Sequence, residues 1–398
     1  MRRMKMTSSP ERRSASTAVC TADNKKVSKT RETEGSPANR QLQRRVNMAD
    51  TYFDWLEKET PTRWWHDSGN PDEIELALTR HAKGVTTNPV LTFRTFNMQP
   101  EIWEERVNQI SQDLDYVERA EALLKLVATS AAKQVWPIYE ATNGQHGYAL
   151  GQLNPSWAGD YENMLAQARR YRSWAPNIAI KLPATRSGIE VMEQIASEGI
   201  PICATLNVSV AQAIDVAEAY ERGRKKAIEN GVKVAPCYAV QQVGRIDDYL
   251  RDVASDMKLG LDERTITSAG IAVAKRSYGI FKERGYHAII MPAGLRGSHH
   301  LVQLAGADVT FSITTRVQEM VLADDPERVE RINEPVADDI MEGLLKMPEF
   351  IKAYEPDGMK KEEYITFGVM QKLLSQFTET GWAPLEVYKS NRKSARWI

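Results

Sequence analysis

The feature that most limits what this chain can fold into is a repeat of pattern rather than of sequence. From Met48 onward, short β-branched or apolar runs alternate with longer stretches of helical period, the signature of successive βα units. Eight runs occur: TRWWHDS from Thr62, GVTTNP from Gly84, GYALGQLNP from Gly147, IAIKLPAT from Ile178, PICATLN from Pro201, VAPCYAV from Val234, HAIIMPAG from His287 and ADVTFSI from Ala307. Eight is the number that closes a parallel barrel, so the expected fold is α/β, a (β/α)8 TIM barrel occupying 48–398 as a single domain.

Between the runs, PDEIELALTRHA, YENMLAQARRYRSWA, GIEVMEQIASEG and VAQAIDVAEAYERGRKKAIENG carry apolar residues at three-to-four spacing, the period of a helix with one buried face. Gly or Asn near their ends acts as a stop signal. The second connection is longer and predicts two or more extra helices, through EIWEERVNQISQDL and AEALLKLVATSAAKQVW. Further helices are expected after the eighth strand, in ADDIMEGLLKMPEFIKAY and EEYITFGVMQKLLSQFTETGW.

A net charge of −1 over 398 residues gives no electrostatic reason to expect nucleic acid or an anionic membrane as partner. No run approaches the roughly 18 apolar residues that a membrane-spanning helix needs. The three cysteines, Cys20, Cys203 and Cys237, are odd in number and lack C-x-x-C spacing. Neither a disulfide framework nor a zinc site is implied, and a reducing, cytoplasmic compartment fits best. Cys203 reads as inert packing. Assembly of identical copies is compatible with the sequence.

Residues 1–47 differ in kind, being crowded with Arg, Lys, Ser and Thr, and are expected to be a disordered basic extension. A transit peptide or polyanion-binding arm would share that composition. Glu11, Asp23, Glu32 and Glu34 interrupt it and no amphipathic period is visible, which favours a passive tail or a gene start placed upstream of Met48.

In a barrel of this kind the active site lies at the C-terminal strand ends. Lys181, within IAIKLPAT, stands on an expected inward position among Ile178, Ile180 and Leu182. A lysine held away from water loses the hydration that favours its ammonium form, which is how such a side chain supplies a free amine to a carbonyl. A lysine ion-paired inside the barrel, or one snorkelling at a strand edge, explains the position equally well. Asp67 closes TRWWHDS, where a general acid/base would sit, yet an Asp just before a helix starting near Pro71 also reads as a capping residue.

Asn88 in TTNP offers an amide to substrate hydroxyls or simply initiates a turn. Thr205 and Gln152 are polar residues near strand ends, and neither is decisive alone. Arg245 in QQVGRID and Arg296 in AGLRGSHH follow neighbouring strands, each beside Gly, and together would clamp a phosphate, although either alone would read as a surface ion pair. His299 and His300 read as surface or cap residues, and no His/Asp/Glu cluster has metal-ligand spacing.

The segments GVTTNP, KLPATRSGIEVMEQIASEGI with the following ATL and the serine of NVSVAQA, and VGRIDDY occur in an order that resembles the transaldolase family, including fructose 6-phosphate aldolases. The resemblance runs from about Thr62 to the C-terminus. It implies a metal-independent, cofactor-free mechanism on phosphorylated ketose and aldose substrates. In it Lys181 forms a Schiff base and Asp67 takes the C4 hydroxyl proton. Asn88 would hold the dihydroxyacetone hydroxyl, Thr205 would stand beside the catalytic water, and Arg245 and Arg296 would bind phosphate.

This sequence departs from the family pattern around the lysine. Gln152 stands where ordinary transaldolases have Glu, as in the aldolase branch, and an amide can orient a water but not take its proton. Cys203 replaces the usual Asn, Val240 and Gln242 replace the sixth-strand Ser and aromatic residue, and Gly294 replaces a serine two before the second arginine. The expected activity is transfer of a dihydroxyacetone unit between sugar phosphates, as in the pentose phosphate pathway. The alternatives are an aldolase that releases the unit and a non-catalytic sugar-phosphate-binding barrel.

Overall fold

Every one of the eight runs contains a strand: β1 Arg63–Asp67, β2 Val85–Thr86, β3 Ala149–Gln152, β4 Ile178–Pro183, β5 Ile202–Thr205, β6 Cys237–Gln241, β7 Ile289–Pro292 and β8 Thr310–Ile313. The computed structural model describes residues 50–389, so the readings of 1–47 lie outside the described residues. All strand pairs are parallel, hydrogen-bonded in the order β7-β6-β5-β4-β3-β2-β1-β8. Spatial order thus follows chain order around a ring, and β7 and β8 meet side by side at its seam. Thr62 ties the first strand to the last: its hydroxyl donates to the Ala307 carbonyl at 2.7 Å and accepts from Gly306 N–H at 3.1 Å.

Two hydrophobic layers follow from strand alternation. Ile178, Ile180 and Leu182 of β4 join the large core between strands and helices, as do Ile202 and Ala204 of β5. Ala179, Cys203, Tyr238, Val240, Met291 and Trp65 form a separate cluster inside the ring, with the Trp65 and Tyr238 rings 4.6 Å apart. That inner plug fills the barrel, so it is a packed core rather than a pore.

The long second connection holds three helices, Pro89–Met98, Pro100–Asn108 and Tyr116–Ala141. The last begins with a capping box, Asp115 accepting from Glu118 N–H while the Glu118 carboxylate accepts from Asp115 N–H. After β8, ADDIMEGLLKMPEFIKAY divides into Asp338–Leu344 and Pro348–Tyr354. Pro348 opens the second piece, where its missing N–H costs nothing. Among the described residues no helix is long and apolar enough to cross a membrane.

Candidate active site

The two-residue period that sends Ala179 inward sends Lys181 inward as well, one layer nearer the C-terminal rim. The apolar neighbours that made Lys181 conspicuous in sequence, Ile178, Ile180 and Leu182, face the surrounding helices instead. Its register partners are Gln152 on β3 and Cys203 on β5. Lys181 is 6% exposed, and among the described residues its Nζ donates to the Thr87 carbonyl at 3.4 Å. Among the described residues no carboxylate lies within ion-pair distance of it, which removes the ion-paired reading.

The same period on β1 carries Asp67 inward from Trp65. Its carboxylate accepts from the Thr86 hydroxyl at 2.7 Å. Thr86 Oγ1 is also 2.7 Å from Ser312 Oγ, so with the Thr86 hydrogen given to Asp67 the Ser312 hydroxyl donates to Thr86. Capping of the next helix falls to Asn70, whose side chain accepts from Asp72 and Glu73 N–H. The capping explanation for Asp67 is therefore overturned. Asn88, by contrast, is a cap: its Oδ1 accepts from Leu91 N–H at 2.9 Å, leaving the amide nitrogen as the group free to donate to a ligand.

Gln152 is 3% exposed, and its buried Oε1 has no hydrogen-bond partner among the described residues. A buried amide oxygen left unsatisfied costs of order 1–3 kcal/mol, so a water or ligand atom bound there would offset that cost. Thr205, at the end of β5 and 1% exposed, receives a long hydrogen bond of 3.4 Å from Gln242 Nε2. Gln242 thus meets the site in the place where the family pattern has an aromatic ring. Gly294, at φ +67, stands against it: a Cβ there would lie 3.0 Å from Gln242 Oε1. Serine at that position would meet both the left-handed backbone and the amide.

Arg245, in the first turn of helix Val243–Asp256, is half-buried and has no ion pair among the described residues. Burial, and then the neighbouring Arg296 guanidinium, depress its pKa below the ordinary arginine range. Arg296 is held by Asp248, with Nε at 3.0 Å and Nη2 at 2.5 Å from one carboxylate oxygen, and its Nη1 donates to the Gly294 carbonyl at 2.7 Å. Arg296 shares Asp248 with Arg251, and Arg245 has no ion pair among the described residues, which leaves a cationic corner at the ends of β6 and β7, suited to an anion.

Three features of the site escaped the sequence. His300 is fully buried, not a surface or cap residue, because its ring pairs with buried Asp247 at 2.7 Å. Possible ligand atoms of Asp247, His299 and His300 lie within 4.8 Å of one another, although Asp247 and His300 spend theirs on each other. The supporting roles of Thr86, Ser312 and Gln242 carried no local signal, except that Thr86 lies inside TTNP. Cys203, beside Lys181 in the register, is wholly buried, and burial pushes its thiol up to about 12.

With this geometry in place, comparison with known proteins becomes informative. The family model for Transaldolase/Fructose-6-phosphate aldolase matches residues 64–364. The chain is 28% identical over 259 residues to Transaldolase 1 of Streptomyces avermitilis, covering 62% of this chain and 68% of that protein. It is 30% identical over 242 residues to the Transaldolase of Mycolicibacterium smegmatis, covering 55% of this chain and 62% of the relative. To the Transaldolase of Neisseria meningitidis it is 28% identical over 208 residues, 52% of this chain and 58% of the relative. The chain thus spans about three fifths of the length of the relatives it matches. A match reaching from β1 past the last strand, on a barrel with this mouth, means that the chain belongs to the transaldolase/fructose-6-phosphate aldolase family.

Proposed function

We propose that this protein transfers a dihydroxyacetone unit between sugar phosphates through a Schiff base on Lys181. The observation that carries the reading is an inward-facing lysine, 6% exposed and without a carboxylate partner among the described residues, between Gln152 and Cys203 in the barrel mouth. The Lys181 amine adds to the C2 ketone of a ketose phosphate, and water leaves to give a protonated imine. Asp67 takes the proton of the C4 hydroxyl, the C3–C4 electron pair moves into the imine, and an aldose phosphate departs. The enamine left on Lys181 then attacks an acceptor aldehyde, whose oxygen takes the proton back from Asp67, and water hydrolyses the new imine to release the product ketose and free Lys181. Asn88 supplies an amide donor to the three-carbon unit, and Arg245 with Arg296 binds the phosphate. Thr205 and the unsatisfied Gln152 oxygen hold the water.

Borohydride reduction with fructose 6-phosphate or dihydroxyacetone, followed by peptide mapping, tests this. A hydride-stable adduct on Lys181, absent in Lys181→Ala, is expected; wild type without an adduct on any ketose would sink the reading. Gln152 favours one second reading, a lyase that releases the three-carbon unit, since the sequence resembles the aldolase branch of the family at this position. Turnover that requires an acceptor such as erythrose 4-phosphate identifies the transferase. Acceptor-independent release of dihydroxyacetone identifies the lyase.

A further inference from the structure

The cationic corner is not two independent side chains. One turn of helix Val243–Asp256 carries Arg245, Asp247 and Asp248; Asp248 reaches across to the loop after β7, and Asp247 to His300 in the helix Ser298–Leu304 that follows that loop. The approach is close enough that a Cβ on Gly244 would collide with the Gly294 carbonyl and come within 2.8 Å of Arg296 Cγ. Asp248 holds the Arg296 guanidinium. Asp247 acts further back, through His300.

The Arg296 backbone N–H lies 3.1 Å from His300 Nδ1. A backbone N–H can only donate, so Nδ1 is the acceptor and the ring hydrogen sits on Nε2. From there it is donated to Asp247 Oδ2 at 2.7 Å, while Oδ1 of the same carboxylate accepts from Gly270 N–H at 2.8 Å. Asp247 and His300 are both fully buried. The chain of bonds works with one tautomer alone: a hydrogen on Nδ1 would face the Arg296 N–H and push that loop away.

We infer that His300, oriented by Asp247, is a positioning residue of the anion clamp, fixing the backbone of Arg296 so that its guanidinium meets the same phosphate as Arg245. The inference rests on the phosphate-binding role proposed above for the two arginines. It separates from a merely structural role because the loss should fall on substrates with a phosphate and spare those without one.

Steady-state kinetics with fructose 6-phosphate and with fructose, on the full chain, test it. Wild type is expected to favour the phosphorylated sugar. His300→Leu should raise KM for fructose 6-phosphate about tenfold with kcat within about threefold, and leave borohydride trapping of dihydroxyacetone on Lys181 near the wild-type level. His300→Asn keeps an acceptor near the Nδ1 position and should recover most of the loss. Asp247→Asn keeps the volume; its amide can donate to Nε2, drives the ring hydrogen to Nδ1, and should raise the same KM with the histidine still present. Equal losses on both sugars, or an unchanged KM for fructose 6-phosphate in both His300→Leu and Asp247→Asn, overturns the positioning role. Wild type indifferent to the phosphate overturns the clamp itself, and the inference with it.

Discussion

A buried lysine on β4 and a carboxylate on β1, with β2 and β3 between them in the ring, do different work, and single substitutions separate them. Asp67→Asn keeps the hydrogen bond from Thr86 and removes the base. Turnover of fructose 6-phosphate should fall by about 10²–10⁴-fold, the usual worth of a general base, while dihydroxyacetone still traps on Lys181. Loss of trapping in that variant would show that Asp67 builds the site instead of serving the cleavage step. Cys203 offers a pH test. With its thiol pushed to about 12 by burial, almost none of it is thiolate at pH 8. Iodoacetamide at pH 8 should leave Cys203 unmodified in the folded protein and label it once the chain is unfolded in denaturant. Because the pKa is raised, native labelling becomes appreciable only as the pH climbs toward that value. Rapid native labelling at pH 8 would mean an open pocket beside Lys181.

At the scale of elements, the site depends on how tightly helices dock on strand ends. Thr185 follows β4 and caps helix Arg186–Ser197, its hydroxyl accepting from Gly188 N–H at 3.1 Å and donating to the Ala158 carbonyl at 2.5 Å. Thr185→Ala should cost about 1 kcal/mol, seen as a melting temperature lower by about 2 °C. An unchanged melting temperature would mean that the Ala158 contact and the cap contribute nothing net. Gly244→Ala is expected to be harsher, because the collision is with backbone of the β7 loop and a few tenths of an ångström cannot relieve it. Destabilisation of about 1–3 kcal/mol is expected by denaturant titration, and a variant as stable as wild type would show that the helix and the β7 loop can part freely.

For the whole molecule, the ring has one weak place. Strands β3, β4 and β5 are each hydrogen-bonded on both sides, whereas β7 and β8 end the bonded order and meet without a ladder. Backbone amides in β7 and β8 should therefore exchange with deuterium faster than those in β3–β5, as measured by peptide-level mass spectrometry. Uniform protection around the ring would argue for a continuous sheet. The seam adjoins the β7 loop that carries Arg296, so the tie through Asp247 and His300 anchors that loop to the better-bonded side of the barrel.

Most of the fold was legible because it is written in periods. Eight β-branched runs and the helical stretches between them report strand and helix locally, and an even two-residue period already implies which residues of IAIKLP share a face. Lys181 was expected on the inward face and stands there, and the same period puts Ile178, Ile180 and Leu182 on the opposite face, in the helix-facing core. The candidate residues Lys181, Asp67, Gln152 and Thr205 do stand at inward strand ends, as their motif positions implied. Their supports did not announce themselves. Ser312 lies 226 residues from Thr86, and His300 lies 53 residues from Asp247; no local pattern links partners that far apart.

The sequence by itself determined the barrel, the identity of the inward lysine motif and the family, because these depend on short-range pattern and on segments read in order. Only the tertiary structure decided which polar residues are satisfied and by whom. Among the described residues it left Lys181 without a counter-ion and Gln152 Oε1 without a donor, took Asp67 off capping duty, and buried a histidine that looked like surface. The physical reason is that hydrogen bonding and burial are properties of neighbours in space, and in a closed barrel the nearest neighbours come from strands that the chain visits far apart.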